Sequence, residues 1–228
     1  SPGRFIPIAE DAGLMDEIGR WIVQTAIAET RTWLSALNPA PPVSLNITRK
    51  QLVDPDFPAD MADWADRAGL SAGRLRLEVP EGALAADVDS AIEAVARLRA
   101  AGFAVSVDDF GTGHSSLISL RRFAVDMLQL DHQFVTAIGA SRDAATVTQA
   151  VIGLARGLDL IVLAEGVERR EQADALLELG CTLGQGTWFS APMPAAELLA
   201  YLLRNEAAMV QKSHDTGDPP NLRRLHGA

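Results

Sequence analysis

The sequence predicts an α/β fold in which a parallel sheet rolls into a barrel, and three observations carry that prediction. Short β-favouring runs start near Val43, Leu75, Ala104, Met127, Ile161 and Leu183, with starts 32, 29, 23, 34 and 22 residues apart, the length of a strand plus a crossover helix. The stretches between them carry apolar residues at helical spacing. Read with period two, the first four runs are apolar on one side and polar on the other. An open sheet covered by helices on both faces would show near-continuous Val, Ile and Leu instead. A rolled sheet, with its apolar face under an outer layer of helices and its polar face on a common axis, fits the pattern: a TIM-like (β/α)8 barrel.

Taken in order, residues 15–34 form a long helix whose Trp21 and Trp33 are expected to face the core. The first strand has polar parity Ser44, Asn46 and Thr48; the second Arg76 and Glu78; the third Ser106 and Asp108; the fourth Gln129 and Asp131. Between the second and third, residues 87–101 place Val88, Ala91, Ile92, Val95 and Leu98 on one stripe and stop at Gly102. Amphipathic helices are also expected over 143–158, 170–179 and 195–203.

Six strands fall short of the eight that close such a barrel, so two are expected upstream of Ser1, or a partner closes the sheet. The opening Ser1-Pro2-Gly3-Arg4-Phe5 has neither an initiator Met nor a signal-peptide layout and reads as a cut end. The polar, turn-rich stretch from Lys212 reads as a disordered tail over 212–228, leaving a body over 1–211.

Composition narrows the function. With 228 residues, 48% of them hydrophobic, the chain can bury a substantial core. A net charge of −10 is the wrong sign for attracting DNA or another polyanion by charge alone. The most apolar stretch, 150–167, is broken by Arg156, Asp159 and Glu165, so no membrane segment is expected. A single cysteine, Cys181, excludes an internal disulfide framework, reads as a small packing residue and agrees with a cytoplasmic location.

Carboxylates and amides gather at the downstream strand ends: Asn46, Glu78 with Glu81, Asp108 with Asp109, Asp131, Glu165 with Glu168, and Gln185. In a parallel barrel these ends share one rim, where active sites are built. Acids crowded there repel unless cations neutralise them, which points to oxygen-ligated Mg²⁺, Mn²⁺ or Ca²⁺. Directly after the acid pair, Gly111-Thr112-Gly113 offers the backbone freedom of a mobile cover. His114 reads as a polar loop residue, and Arg121-Arg122 as a solvated helix end.

These segments together resemble the EAL-domain family, bacterial domains that hydrolyse or sense cyclic di-GMP. The likeness covers residues 1–201 and rests on six motifs in family order: Phe5-Ile6-Pro7-Ile8-Ala9-Glu10, Leu45-Asn46-Ile47-Thr48, Leu77-Glu78-Val79-Pro80-Glu81, the run DDFGTGHSSL from Asp108, Ala164-Glu165-Gly166-Val167-Glu168, and Gln185-Gly186. It implies a barrel whose first strand is antiparallel and a reaction that opens cyclic di-GMP to pGpG. By the same resemblance Asn46, Glu78, Asp108, Asp109 and Glu165 hold two divalent ions, with Glu168 and Gln185 on those ions or their water. Asp131, Gln185, Gly186, Gly111 and Thr112 contact ligand, and Glu81 braces the loop after Asp109.

Departures from the family shape the functional expectation. The Glu-Ala-Leu tripeptide is expected upstream of Ser1, with the first two strands and a phosphate-gripping Arg. The family's Lys-Ile-Asp appears as Gln129-Leu130-Asp131, and Pro80 replaces a usual Thr. In active relatives that lysine contacts the attacking water, and Gln carries no charge with which to stabilise the transition state. The expected function is therefore an EAL-type receptor for cyclic di-GMP with weak or no hydrolysis. The alternatives are an active metal-dependent phosphodiesterase and a protein-interaction scaffold that binds no nucleotide. A homodimer and an upstream sensory or cyclase-like domain follow from the resemblance alone.

Overall fold

A computed structural model describes residues 2–34, 36–37, 41–111, 117–138, 142–204 and 223–224. Its strands are β1 (Val43–Asn46), β2 (Leu75–Pro80), β3 (Ala104–Phe110), β4 (Met127–Leu130), β5 (Ile161–Ala164), β6 (Leu183–Gly184) and β7 (Arg223–Arg224). They form one sheet in chain order, every neighbouring pair parallel. The first six start at the residues where the β-favouring runs begin. β7 falls within the expected tail and adds a strand beyond β6.

Helices α1 (Pro2–Asp11), α2 (Met15–Leu34), α3 (Arg49–Val53), α4 (Phe57–Arg67), α5 (Glu81–Ala85), α6 (Val88–Ala100), α7 (Leu117–Arg122), α8 (His132–Ile138), α9 (Arg142–Gly157), α10 (Arg170–Glu178) and α11 (195–204) complete the described chain. Local chemistry sets their starts. Thr48 Oγ1 accepts from Gln51 N (3.2 Å) while Gln51 Oε1 accepts from Thr48 N (2.9 Å), a reciprocal box that opens α3. The Asp87 carboxylate accepts from Ser90 N at 3.3 Å and opens α6.

Register separates the faces of the sheet. Asn46, Glu78, Ser106, Met127 and Ile161 are successive Cα partners across β1 to β5, and partners in parallel strands point the same way. Val43, Leu45, Leu75, Leu77, Val79, Val105, Val107, Leu128, Leu130, Val162 and Ala164 point the other way and join one core with the helices. Met127 and Leu163, on the polar side, are just as buried yet lie outside that core. The polar face is thus the interior of a partial TIM-like barrel. β1 and β7 do not pair with each other among the described residues.

One packing expectation fails. Trp33 is buried, but Trp21 is 65% exposed. The buried stripe of α2 runs through Val23, Ile27, Thr30 and Trp33, and at about 100° per residue Trp21 sits roughly 200° from Val23, on the far side of the helix. No described helix is long and apolar enough to cross a membrane.

Candidate functional site

The six strand ends open on one rim, as parallel pairing requires, and the site begins with a fault in the register of β3. Val107 pairs with Leu128 and Phe110 with Leu130, so Asp108 and Asp109 together oppose the single residue Gln129. This is a β-bulge, the device that re-aims side chains beside functional sites. Asp109 takes φ 53°, a left-handed conformation uncommon outside glycine. Strict alternation would send Asp109 away from Asp108. With the bulge, ligand atoms of Asp108, Asp109 and Glu165 lie within 4.8 Å of one another.

Crowding changes their acidity. Burial, then the neighbouring Asp109, push Asp108 up to about 6. Burial, then Asp108, Glu78, Asp109 and Asp131, push Glu165 up to about 8. Glu78 is 7% exposed and stands outside that trio. Burial raises its pKa, while hydrogen bonds from Ser44 and Gln129 and the Arg76 charge oppose the rise. Arg76 shares the interior face two residues before Glu78, and desolvation by burial lowers its pKa against the pull of Glu78 and Asp126. It places a positive charge beneath the acids.

Gln129 is fully buried. Its Nε2 donates to Ser106 Oγ at 3.1 Å, and the amide opposes the rise in the Glu78 pKa. Its Oε1 has no hydrogen-bond partner.

The surrounding loops are tied to this floor. Buried Glu81, at the start of α5, accepts from Gly111 N at 2.8 Å through Oε2 and so ties down the chain after the acid pair. Gly111 has φ 97°, and a Cβ there would lie 2.4 Å from the Phe134 ring. Gln185 Nε2 donates to Glu165 Oε1 at 2.9 Å. Gly186 has φ 148°, and a Cβ would meet the Val167 carbonyl oxygen at 2.2 Å. Its glycine is required by the close crossing in which Val167 N donates to Gln185 O and Trp188 N to Val167 O, each at 2.9 Å.

Other candidates sit differently. Asp131 caps α8, accepting from Gln133 N at 2.8 Å, with His132 Nδ1 3.1 Å from its other oxygen. Asn46 is exposed beside Glu78 in the register. Glu168 is exposed and outside the carboxylate trio. Thr112, Gly113 and His114 lie outside the described residues. Cys181 is buried with Sγ 3.3 Å from Leu183 O, a packing residue whose thiol burial pushes up to about 11. Arg122 pairs with Asp89 at 2.8 Å in the open, a solvated helix end.

Sequence reasoning missed Ser44 and Ser106 as partners of Glu78 and Gln129. It also missed Gln172, whose Oε1 accepts from both Glu168 N and Arg169 N at 2.9 Å and holds the loop after β5. A Gln three positions into a helix is the readable signal for that last role.

The donor set of the trio is oxygen only and anionic, suited to a hard divalent ion. Half-buried acids held above their ordinary range and an unpartnered amide oxygen both fit a cation among them.

Comparisons with known proteins agree with this geometry. The bifunctional diguanylate cyclase/cyclic di-GMP phosphodiesterase MucR of Pseudomonas aeruginosa is 35% identical over 88% of this chain and 29% of its own length. The cyclic di-GMP phosphodiesterase NbdA of the same organism is 39% identical over 88% of this chain and 26% of its own. The chain therefore spans less than a third of these relatives. The solved structure of the PaMucR phosphodiesterase in complex with c-di-GMP superposes with TM-score 0.83 and 34% identity, over 87% of this chain and 80% of that one. The EAL domain family matches residues 1–192, and the chain belongs to that family.

Proposed function

We propose that this EAL domain binds cyclic di-GMP as a receptor or signalling module and hydrolyses it weakly or not at all. The observation that carries the reading is Gln129, a neutral amide buried on the barrel axis against Glu78 and Ser106, in the place the family gives to lysine. Asp108, Asp109 and Glu165, with Glu78, Asn46 and Gln185 beside them, are the residues that would hold Mg²⁺, Mn²⁺ or Ca²⁺. When bound, such ions neutralise ligand phosphate and acidify water. The chain's own residues do the rest: Glu81 fixes the backbone at Gly111, Gln185 orients Glu165, and Gly186 lets the two rim loops cross. What they lack is an ammonium for charge developing at the phosphate, and one missing preorganised group costs about 10² to 10³ in rate.

In this reading ligand occupancy is passed to an upstream sensory or cyclase-like domain, a partner or a second copy, in the cytoplasm. Calorimetry with cyclic di-GMP tests binding. Following pGpG with Mg²⁺ or Mn²⁺ tests turnover, expected below about 0.1 s⁻¹, well under the enzyme median.

The likeness to phosphodiesterases and the retained trio favour a second reading, an active metal-dependent enzyme producing pGpG. Faster turnover selects it. Gln129→Lys at saturating Mn²⁺ then separates a site short only of its lysine, which gains about a hundredfold, from one that works without it.

A further inference from the structure

The two ends of the Gln129 amide are treated unequally. Its Nε2 donates to Ser106 Oγ at 3.1 Å. Ser106 Oγ in turn donates to Leu77 O at 3.5 Å, so its lone pairs are what face the amide. This chain of bonds fixes the orientation of the side chain, because turning it over would set Oε1 against those lone pairs, acceptor against acceptor. Oε1 is left fully buried with no hydrogen-bond partner. A buried acceptor without a partner is costly and asks for an explanation.

Its position supplies one. Gln129 is the single β4 residue opposite the Asp108-Asp109 bulge, and with Glu165 these two form the carboxylate trio. Once an ion is bound the carboxylates are ionised and offer no proton to an amide oxygen, so that ion, or the water it carries, is the natural partner for it.

We propose that Gln129 Oε1 is an additional oxygen ligand, direct or through one bound water, for a divalent cation held by Asp108, Asp109 and Glu165. The exchange of ammonium for amide then removes a repelling charge and adds a donor, so the site retains its ion more firmly as it loses hydrolytic power. The inference rests on the receptor reading above and explains how such a receptor keeps its ion. Ca²⁺, which takes six to eight oxygens and accepts amide carbonyls readily, gains more from this ligand than Mg²⁺, which keeps its waters.

Calorimetric titration of the nucleotide-free chain with CaCl2 and with MgCl2 tests it. Wild type is expected to bind Ca²⁺, and Asp108→Asn to lose that binding. Gln129→Met, of similar length but without the oxygen, is expected to weaken Ca²⁺ affinity about tenfold or more, and Gln129→Lys at least as much. Gln129→Glu, which keeps an oxygen at the same reach, is expected to bind at least as tightly as wild type and covers the case in which the Met variant does not fold. Equal Ca²⁺ affinity in folded Gln129→Met and Gln129→Lys overturns the proposal, as does loss in Gln129→Glu or no Ca²⁺ binding by wild type. A separate titration with cyclic di-GMP keeps the two questions apart: absence of nucleotide binding overturns the receptor reading, and the ion affinities still decide this one.

Discussion

On the outward side of β2, Leu75, Leu77 and Val79 are wholly buried against helices, while on the inward side of the same six residues Arg76 and Glu78 carry charge into the barrel. The outward face gains stability from each apolar contact and owes little to pH. The inward face gathers groups whose mutual repulsion and desolvation oppose folding, and it keeps them only because the outward face pins the backbone beneath. The difference shows where this molecule derives stability and where it gives stability up for ligand binding.

Breaking the outward face should produce the largest effect. Leu77→Ala is expected to lose about 2 to 5 kcal/mol in urea unfolding, with the pH dependence of stability unchanged.

The inward face should be read by pH. Asp108 at about 6 and Glu165 at about 8 bind protons more tightly folded than at their ordinary values of 3.8 and 4.5. Their favourable contribution is therefore complete below those ordinary values and is lost as pH rises through about 6 and then about 8. The melting temperature of the chain in EDTA should fall from pH 5 to pH 8.5, and Ca²⁺ or Mg²⁺ added at the upper end should restore it. A flat profile would mean that the acids stand apart in solution.

Glu165→Gln sharpens the comparison further. It should abolish the decline between about pH 6 and 8 and make it shallower below pH 6, where the slope that remains belongs to Asp108. The smallest effect belongs to the shell: Thr48→Ala, which unmakes the cap of α3, should cost about 1 kcal/mol and preserve the wild-type response to divalent ions.

Much of this contrast was legible in the sequence. Short β-favouring runs located all six strand starts from Val43 to Leu183, and alternation in the first four assigned Ser44, Asn46, Glu78, Ser106, Asp108 and Gln129 to the polar side, because a half-buried strand must repeat with period two. The same rule hid the bulge: it assumes an unbroken register, and the extra residue in β3 becomes visible only against Leu128 and Leu130 of the neighbouring strand. Trp21 was misplaced because residue type was read without the phase of its helix. The short helices α3, α5 and α8, of 5, 5 and 7 residues, carry too few turns for a periodic signal. Glu168 was read with Glu165 at one strand end, and period two gives no sign that Gly166 turns the chain between them with φ 68°.

The bulge also reaches beyond the acids it gathers. One surplus residue shifts the beat of everything after it, so Phe110, which would otherwise point down the axis with Ser106 and Asp108, turns outward beside Leu130 and seats its ring in the apolar shell. Phe110 is thereby an anchor bolt for the strained residue before it. Relaxing Asp109 into a regular strand would drag a buried aromatic out of the oil and into the charged throat, so the geometry of the mouth is held shut by a side chain that never faces it.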